Sequence, residues 1–487
     1  MLFFIVSTLW ASSALASVQS IGEIRSTYDY YPMFPLDDIG NISDQSHIFR
    51  SRIRSRLTYQ FHPALTFYAG VEVLNGQFAG DVSSIGLAID EIPFRPVRSD
   101  NSDLLKIWPT EFYLQKKGET WGYTLGIQSF QWGLGILSND GYQQSTWGDA
   151  QQGNQYIRGS IDFAIGKMGR AFVALDSIVR DDNVSIYTED QAQQVIAGLM
   201  GKTQDSSFGI LVGHRWQQDR PEIYHPLSPT FVRAIPIDFY GKTQISEKIQ
   251  SEVELTHIRG TTNRIYSEQT RGTDSFIRSW GGLLRIEVKE KRKNGADFNT
   301  NMFEIGFASG DANPTDNLST TFYLHSNYNP GLLLFEQVLP MMSANSLTRL
   351  TDKDLIAQQS PGLQYGIQQG NVSNAFFVHY QDEYNLLSDL YMRTGFVWVR
   401  SLTPITDPFA TAMNGGYPVG YGNIKNPKND MGTEWLLGFD YKPKTERIQP
   451  LIRIDMAWLD TKDNFSSLGI DSLWTIHSKM QISWGGE

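Results

Sequence analysis

Four arginines occupy alternate positions in the stretch Arg50-Ser51-Arg52-Ile53-Arg54-Ser55-Arg56. A guanidinium is permanently charged and planar, and it offers forked donors that match carboxylate and phosphate. A row of four could attract and guide an anionic solute. Their spacing selects the element that carries them. A β-strand places residues of period two on one face, whereas a helix would scatter them around its axis. The intervening and following residues, Phe49, Ser51, Ile53, Ser55, Leu57, Tyr59 and Phe61, are apolar or small. Charge on one face and apolar residues on the other suit a strand between water and lipid. That is the wall of a transmembrane β-barrel with a polar lumen.

Assigning the more polar face inward along the rest of the chain adds further lumenal candidates. The basic ones are Arg158, Arg285, Arg393, Arg453 and Lys479, with His477 beside them. The acidic ones are Glu72, Glu111, Asp162, Asp238, Glu252, Glu254, Glu287, Glu434, Asp440 and Asp455. Two arrangements follow. The arginines could form an anion-attracting stripe. Alternatively, carboxylates on neighbouring strands could neutralise them and leave a salt-bridged wall without preference.

Catalysis finds little support. None of the 8 histidines is placed beside a Gly-x-Ser-x-Gly serine. No His-Glu-x-x-His motif, phosphate loop or dinucleotide fingerprint is present. The pair Glu252 and Glu254 looks like acid and base, yet lumenal alternation produces such pairs routinely. We therefore expect no enzyme, no catalytic residue and no cofactor. Asp311, Asn313 and Asp316 form a weak calcium candidate, because oxygen side chains alternate near Gly310. The segment lacks the full calcium-loop arrangement, and an Asx/Pro turn is the plainer reading.

Composition sets the compartment. Residues 1–16 read as a secretory signal peptide, with a mostly apolar run and the cleavage pattern Ala14-Leu15-Ala16. The absence of cysteine excludes a lipoprotein anchor and Cys-ligated zinc. The aromatic content of 13% and the 43 glycines suit aromatic girdles and tight turns. The net charge of −11 argues against nucleic acid as a partner.

Residues 17–487 then read as one all-β domain: a single antiparallel transmembrane barrel of about 18 strands, within a range of 16–20. Segments of alternating hydrophobicity, such as 47–61, 64–75, 120–132, 249–261 and 473–485, are separated by connections that are short and long in turn. Short periplasmic turns and long outer loops are the barrel pattern. The longest connection, 310–373, contains Phe322-Tyr323-Leu324 and Gly331-Leu332-Leu333-Leu334-Phe335. It is too apolar for a freely solvated loop, so we expect a constriction or a cap. Trp484, near the end of the last segment, is the aromatic that barrel-insertion machinery would read.

Three segments carry a family resemblance. They are Gln131-Trp132-Gly133-Leu134-Gly135-Ile136-Leu137-Ser138-Asn139-Asp140-Gly141, then Trp147-Gly148-Asp149, then 306–317 with its Ala308-Ser309-Gly310-Asp311 core. Together they resemble alginate-export-like outer-membrane barrels, in a branch of deltaproteobacterial type. The resemblance implies an 18-stranded barrel with an arginine-rich pore for an anionic polysaccharide.

The expected function is a porin-like outer-membrane channel for passive transport or export of anionic or polysaccharide-like solutes. Expected partners are outer-membrane lipid, lipopolysaccharide, the insertion machinery, and an anionic polysaccharide or small anion. The alternative is a scaffold whose loops, including Gly415-Gly416-Tyr417 and Tyr421-Gly422-Asn423, serve adhesion or assembly of an envelope or motility complex.

Overall fold

A computed structural model describes residues 17–83, 85, 107–142, 146–149, 153–182, 190–219, 229–264, 274–291, 298–313, 316–352, 354–356, 371–443, 445 and 447–485. The expected signal peptide, residues 1–16, lies outside them.

Eighteen described strands form the wall. They are β1 Ser17–Tyr30, β2 His47–His62, β3 Leu65–Gly80, β4 Trp108–Lys116, β5 Trp121–Ser129 and β6 Gln155–Ile165. Next come β7 Gly169–Arg180, β8 Gln191–Lys202, β9 Ser206–Gln218, β10 Phe231–Gln244, β11 Ile249–Thr262 and β12 Ser275–Lys291. The circuit ends with β13 Phe298–Ala308, β14 Ala375–Leu387, β15 Leu390–Ser401, β16 Asp430–Tyr441, β17 Ile448–Thr461 and β18 Ser472–Trp484. Each pairs antiparallel with its chain neighbour, and β1 also pairs with β18, with Arg25 opposite Gln481 and Asp29 opposite His477. That pairing closes the sheet and removes its edges, as a bilayer requires. A two-residue strand, Leu318–Ser319, lies parallel to β12 at its outer end.

Burial along the strands inverts the pattern of a soluble protein. On β11, Glu252, Glu254 and Thr256 are buried, while Val253 and Leu255 are exposed. On β17, Arg453 and Asp455 are buried, while Ile452 and Ile454 are exposed. Charges inward and aliphatics outward mean that the outer surface is solvated by lipid. Exposed tryptophans mark the interfaces: Trp216, Trp280, Trp458 and Trp474 stand near the long-loop ends of their strands, and Trp121 near a short-turn end. The architecture is that of an outer-membrane barrel.

The strands differ from the expected segments mainly at their ends. β3 runs on to Gly80, and β14 reaches Leu387, with only Ser388 and Asp389 before β15. β5 stops at Ser129 because the chain there turns into the barrel.

The described helices lie in the long connections between strands. A π-helical turn, Leu334–Val338, leads into α1, Leu339–Thr351. Two short helices, α2 Pro408–Met413 and α3 Asp463–Ser466, stand in later outer loops. The largest apolar cluster joins Leu324, Leu332, Leu333 and Met341 from the loop to inward Leu283, Phe377, Val399 and Leu459 from the wall. A barrel of this size has an aqueous interior unless something occupies it; here the chain's own loops do.

Candidate functional site

The ladder arginines face inward from β2, and each reaches a carboxylate. Arg50 contacts Asp29 at 2.6 Å. Arg52 donates to Glu23 through Nε at 2.9 Å. Arg54 pairs with fully buried Glu72, and Arg56 pairs with Glu111 through both its Nε and an amino nitrogen. Strand register explains the matching. Arg54 stands opposite Glu23 on β1 and Glu72 on β3, while Glu111 on β4 stands opposite Gly70, the partner of Arg56. Each of the four ladder arginines is therefore ion-paired with a carboxylate of a neighbouring or next-nearest strand.

The same pairing continues around the ring. Arg158 grips Asp176 bidentately at 2.7 and 2.8 Å. Arg285 donates to Glu304 at 2.6 Å. Asp440 receives Arg393 at 2.9 Å and Arg453 at 2.9 Å, and Arg393 also holds Asp455. His477 contacts Asp29. Nearer the short-turn end, Asp162 meets Arg170, and Glu252 receives Lys242 at 3.0 Å and the Tyr240 hydroxyl at 2.7 Å. Glu287 faces the same way and is half-buried.

Two inward carboxylates take loop backbone as their partner instead of cations. Glu434 on β16 accepts from the N–H groups of Leu332, Leu333 and Leu334, the last two at 3.1 and 3.2 Å. Glu254 on β11 accepts from the N–H of Leu134. Asp238 accepts from the Trp132 indole at 2.6 Å and from the Thr256 hydroxyl. These acids hold the loops inside the barrel, because a buried carboxylate and a buried N–H each need the other.

The loop after β5 crosses the lumen. Trp132 packs against Phe172 on β7 and over Gly209 on β9. The Gly141 carbonyl accepts from Arg54 at 2.9 Å, and the Tyr142 ring lies 4.3 Å from Arg54 and 4.8 Å from Arg56. On the far wall, Trp147 lies 4.6 Å from the Arg393 guanidinium and donates to His379 at 3.3 Å. Asp149 then binds Lys479 at 2.9 Å and Arg25 at 3.4 Å.

Residues 310–373 contribute more than one piece. Phe322 seats in the space left by Gly281, Tyr328 reaches Glu304 at 3.3 Å, and the three leucines cap Glu434. Helix α1 lies under the outer loops: Asn345 and Arg349 contact Asp37 at 2.9 and 3.2 Å, and Ser346 contacts Asp407. In the calcium candidate, Asp311 accepts from the N–H of Asn313 at 3.0 Å, and Asp316 accepts from that of Leu318 at 2.7 Å. These are Asx turns whose carboxylates serve backbone amides. Among the described residues, no group of three or more His, Asp or Glu is placed to hold a metal.

Face assignment from sequence did not include Glu23, Arg25, Asp29, Asp149, Asp176, Glu304 or His379. Six of the seven alternate correctly on weaker strand patterns; Asp149, in a loop, carried no strand signal.

No protein-family model matches the chain, and no curated protein matches it. The alginate-export-like resemblance therefore gains no support from either comparison. Among solved structures, the chain is similar to Acinetobacter baumannii OccAB1, with 9% identity, a TM-score of 0.49, and 96% of each chain covered. It is also similar to the outer membrane protein opdK of Pseudomonas aeruginosa, with 9% identity, a TM-score of 0.46, and 96% and 98% covered. A third is the outer membrane channel DcaP of Acinetobacter baumannii, with 11% identity, a TM-score of 0.40, and 97% and 98% covered. At these scores, none of them assigns a solute or a mechanism to this chain.

Proposed function

We propose that the protein is an outer-membrane channel for passive movement of small solutes, narrowed by its own inward-folded loops. The observation that carries this reading is the charged interior of a closed barrel with an apolar outside. A polar, charged interior suits a path for water and solute, and the ion pairs offset the cost of burying its charges. The loops after β5 and β13 then act as the selectivity element, held by carboxylates rather than by covalent links. No energy source or cofactor enters this mechanism.

An anionic or polysaccharide-like solute is the finer reading. Its support is the concentration of guanidiniums on β2 and its neighbours. Since each already holds a carboxylate, a passing anion must exchange with Glu23, Glu72 or Glu111 rather than meet free charge.

The test is single-channel current in a planar bilayer, under a salt gradient, for the full barrel and for one lacking residues 332–351. We expect discrete currents from the full barrel and larger ones after the deletion. Silence from both, with barrels shown to be inserted and folded, overturns the channel reading.

A further inference from the structure

The long-loop half of the lumen contains a cavity of about 290 Å³. It lies between the inner face of β6 to β12 and the two inward-folded loops. Its two sides differ. The sheet side presents Ile196, Leu211, Ala234, Pro236 and Ile258, an aliphatic patch on a wall that is elsewhere charged. The loop side presents aromatic rings, among them Phe130, Trp132 and Phe322. At one end stand neutral groups in a hydrogen-bonded network: Ser138 donates to the Phe130 carbonyl at 2.9 Å, the Asn154 oxygen lies 2.8 Å from His325, and Gln194 donates to Asp176 at 2.8 Å.

We infer that this cavity binds an uncharged organic molecule with a ring-sized apolar body and a hydroxyl group at its end. This deepens the channel reading and rests on it for why a solute would enter. Size sets the body: an apolar cavity of about 150 Å³ accepts benzene, so this one holds a substituted ring. Chemistry sets the charge. Arg215 is already bound to Asp181, and Arg264 binds Asp219 at 2.6 and 2.7 Å. Asp182 adds a further negative group to the lining. A carboxylate would enter a site whose cations are committed, and would lose its hydration without a new counter-charge. A sugar fits poorly for a different reason. Its ring hydroxyls would face the aliphatic patch and lose their partners there. An apolar ring between Leu211 and Trp132 meets apolar surface on both faces, and its hydroxyl can donate toward the Ser138 oxygen beside Asn154.

The experiment is a ligand-detected NMR titration of the full barrel in amphipol. The probes are benzyl alcohol, benzoate at neutral pH, and glucose. The first two differ mainly in charge, and the third replaces the apolar body with hydroxyls. We expect the alcohol to bind about tenfold or more tightly than either of the others, given the cost of burying an unmatched charge or hydroxyl. Two variants probe the aliphatic patch: Ala234→Phe fills the space, and Leu211→Asn makes it polar without adding bulk. Each should weaken the alcohol by about fivefold or more, in line with overpacking or polar burial. Heat-modifiable electrophoretic mobility checks that each is folded; if neither folds, the comparison of probes on the natural barrel still decides. Equal or tighter binding of the benzoate or glucose overturns the inference. So does absence of saturable alcohol binding, or unchanged binding in folded Ala234→Phe. Binding here does not require conduction. Current without alcohol binding defeats this inference alone, and binding by a silent barrel defeats the channel reading alone.

Discussion

Lys479 and Asp149 meet at 2.9 Å, one on the last strand and the other on the loop after β5. The contact fastens a lumen-crossing loop to a wall strand remote from β5, on the far side of β1. Lys479 is almost fully buried, so its charge depends on Asp149. Asp149→Asn should release the loop end. If the loop stays in place, removing one partner of a buried pair costs about 3–5 kcal/mol; if it swings out, conductance rises. We expect a lower unfolding midpoint in urea, or larger and noisier single-channel currents. A variant indistinguishable from the natural barrel in both would show that the pair does not hold the loop.

Glu434 presents the second latch. Its carboxylate collects three consecutive backbone N–H groups, and hydrogen bonds to a charged acceptor are worth about 1.5–3 kcal/mol each, though not additively. Glu434→Ala should free residues 332–334 and expose the leucines that follow Gly331. Limited proteolysis from the outer side should then cut near this segment, where the natural barrel resists. Equal resistance would mean that apolar packing alone retains it.

The arginine ladder predicts a compensating pair of charge effects. Replacing Arg50, Arg52, Arg54 and Arg56 with Gln removes the arginine partner of each of Asp29, Glu23, Glu72 and Glu111. The reversal potential should move toward cation selectivity. Replacing those four acids with their amides as well should return it close to its natural value. A shift that persists in the eightfold variant would mean that the arginines act as unpaired charge.

Gly209 makes room for Trp132. A Cβ there would stand 2.7 Å from the indole ring. Gly209→Val should therefore displace Trp132 and break its 2.6 Å hydrogen bond to Asp238. The expected cost is about 1–3 kcal/mol, as for other overpacked sites, with a change in tryptophan emission. Unchanged emission together with unchanged stability would mean that the indole has space to move.

Asp37, in the outer loop, governs how acid affects the cap. Burial pushes its carboxyl up, but hydrogen bonds from Asn345 and Asn41 and the Arg349 guanidinium outweigh that and hold it below the ordinary value. A depressed folded-state value means that its stabilisation is complete above the unfolded value of about 3.9. It is lost as pH falls through the lower folded value. Gating or loop protection should therefore change between about pH 4 and lower values, and Asp37→Asn should remove that part of the response. An identical acid response in Asp37→Asn would assign it to other groups.

The wall is legible in the residues alone. Period-two alternation is local, and it placed Arg50, Glu254, Arg453 and Lys479 on strands with their charges on one face. Alternating short and long connections then implied the barrel. Tertiary structure decided everything that depends on register and on loops. Which carboxylate meets which arginine follows from strand stagger, since Arg56 finds Glu111 two strands away and not a residue of β1. The path of the chain from Trp132 to Asp149 carries no periodicity, so nothing local distinguishes a loop in water from one drawn across a lumen. Only the barrel's interior shows that: buried acids lacking cations, Glu254 and Glu434, require donors, and the inward loops supply their backbone N–H groups.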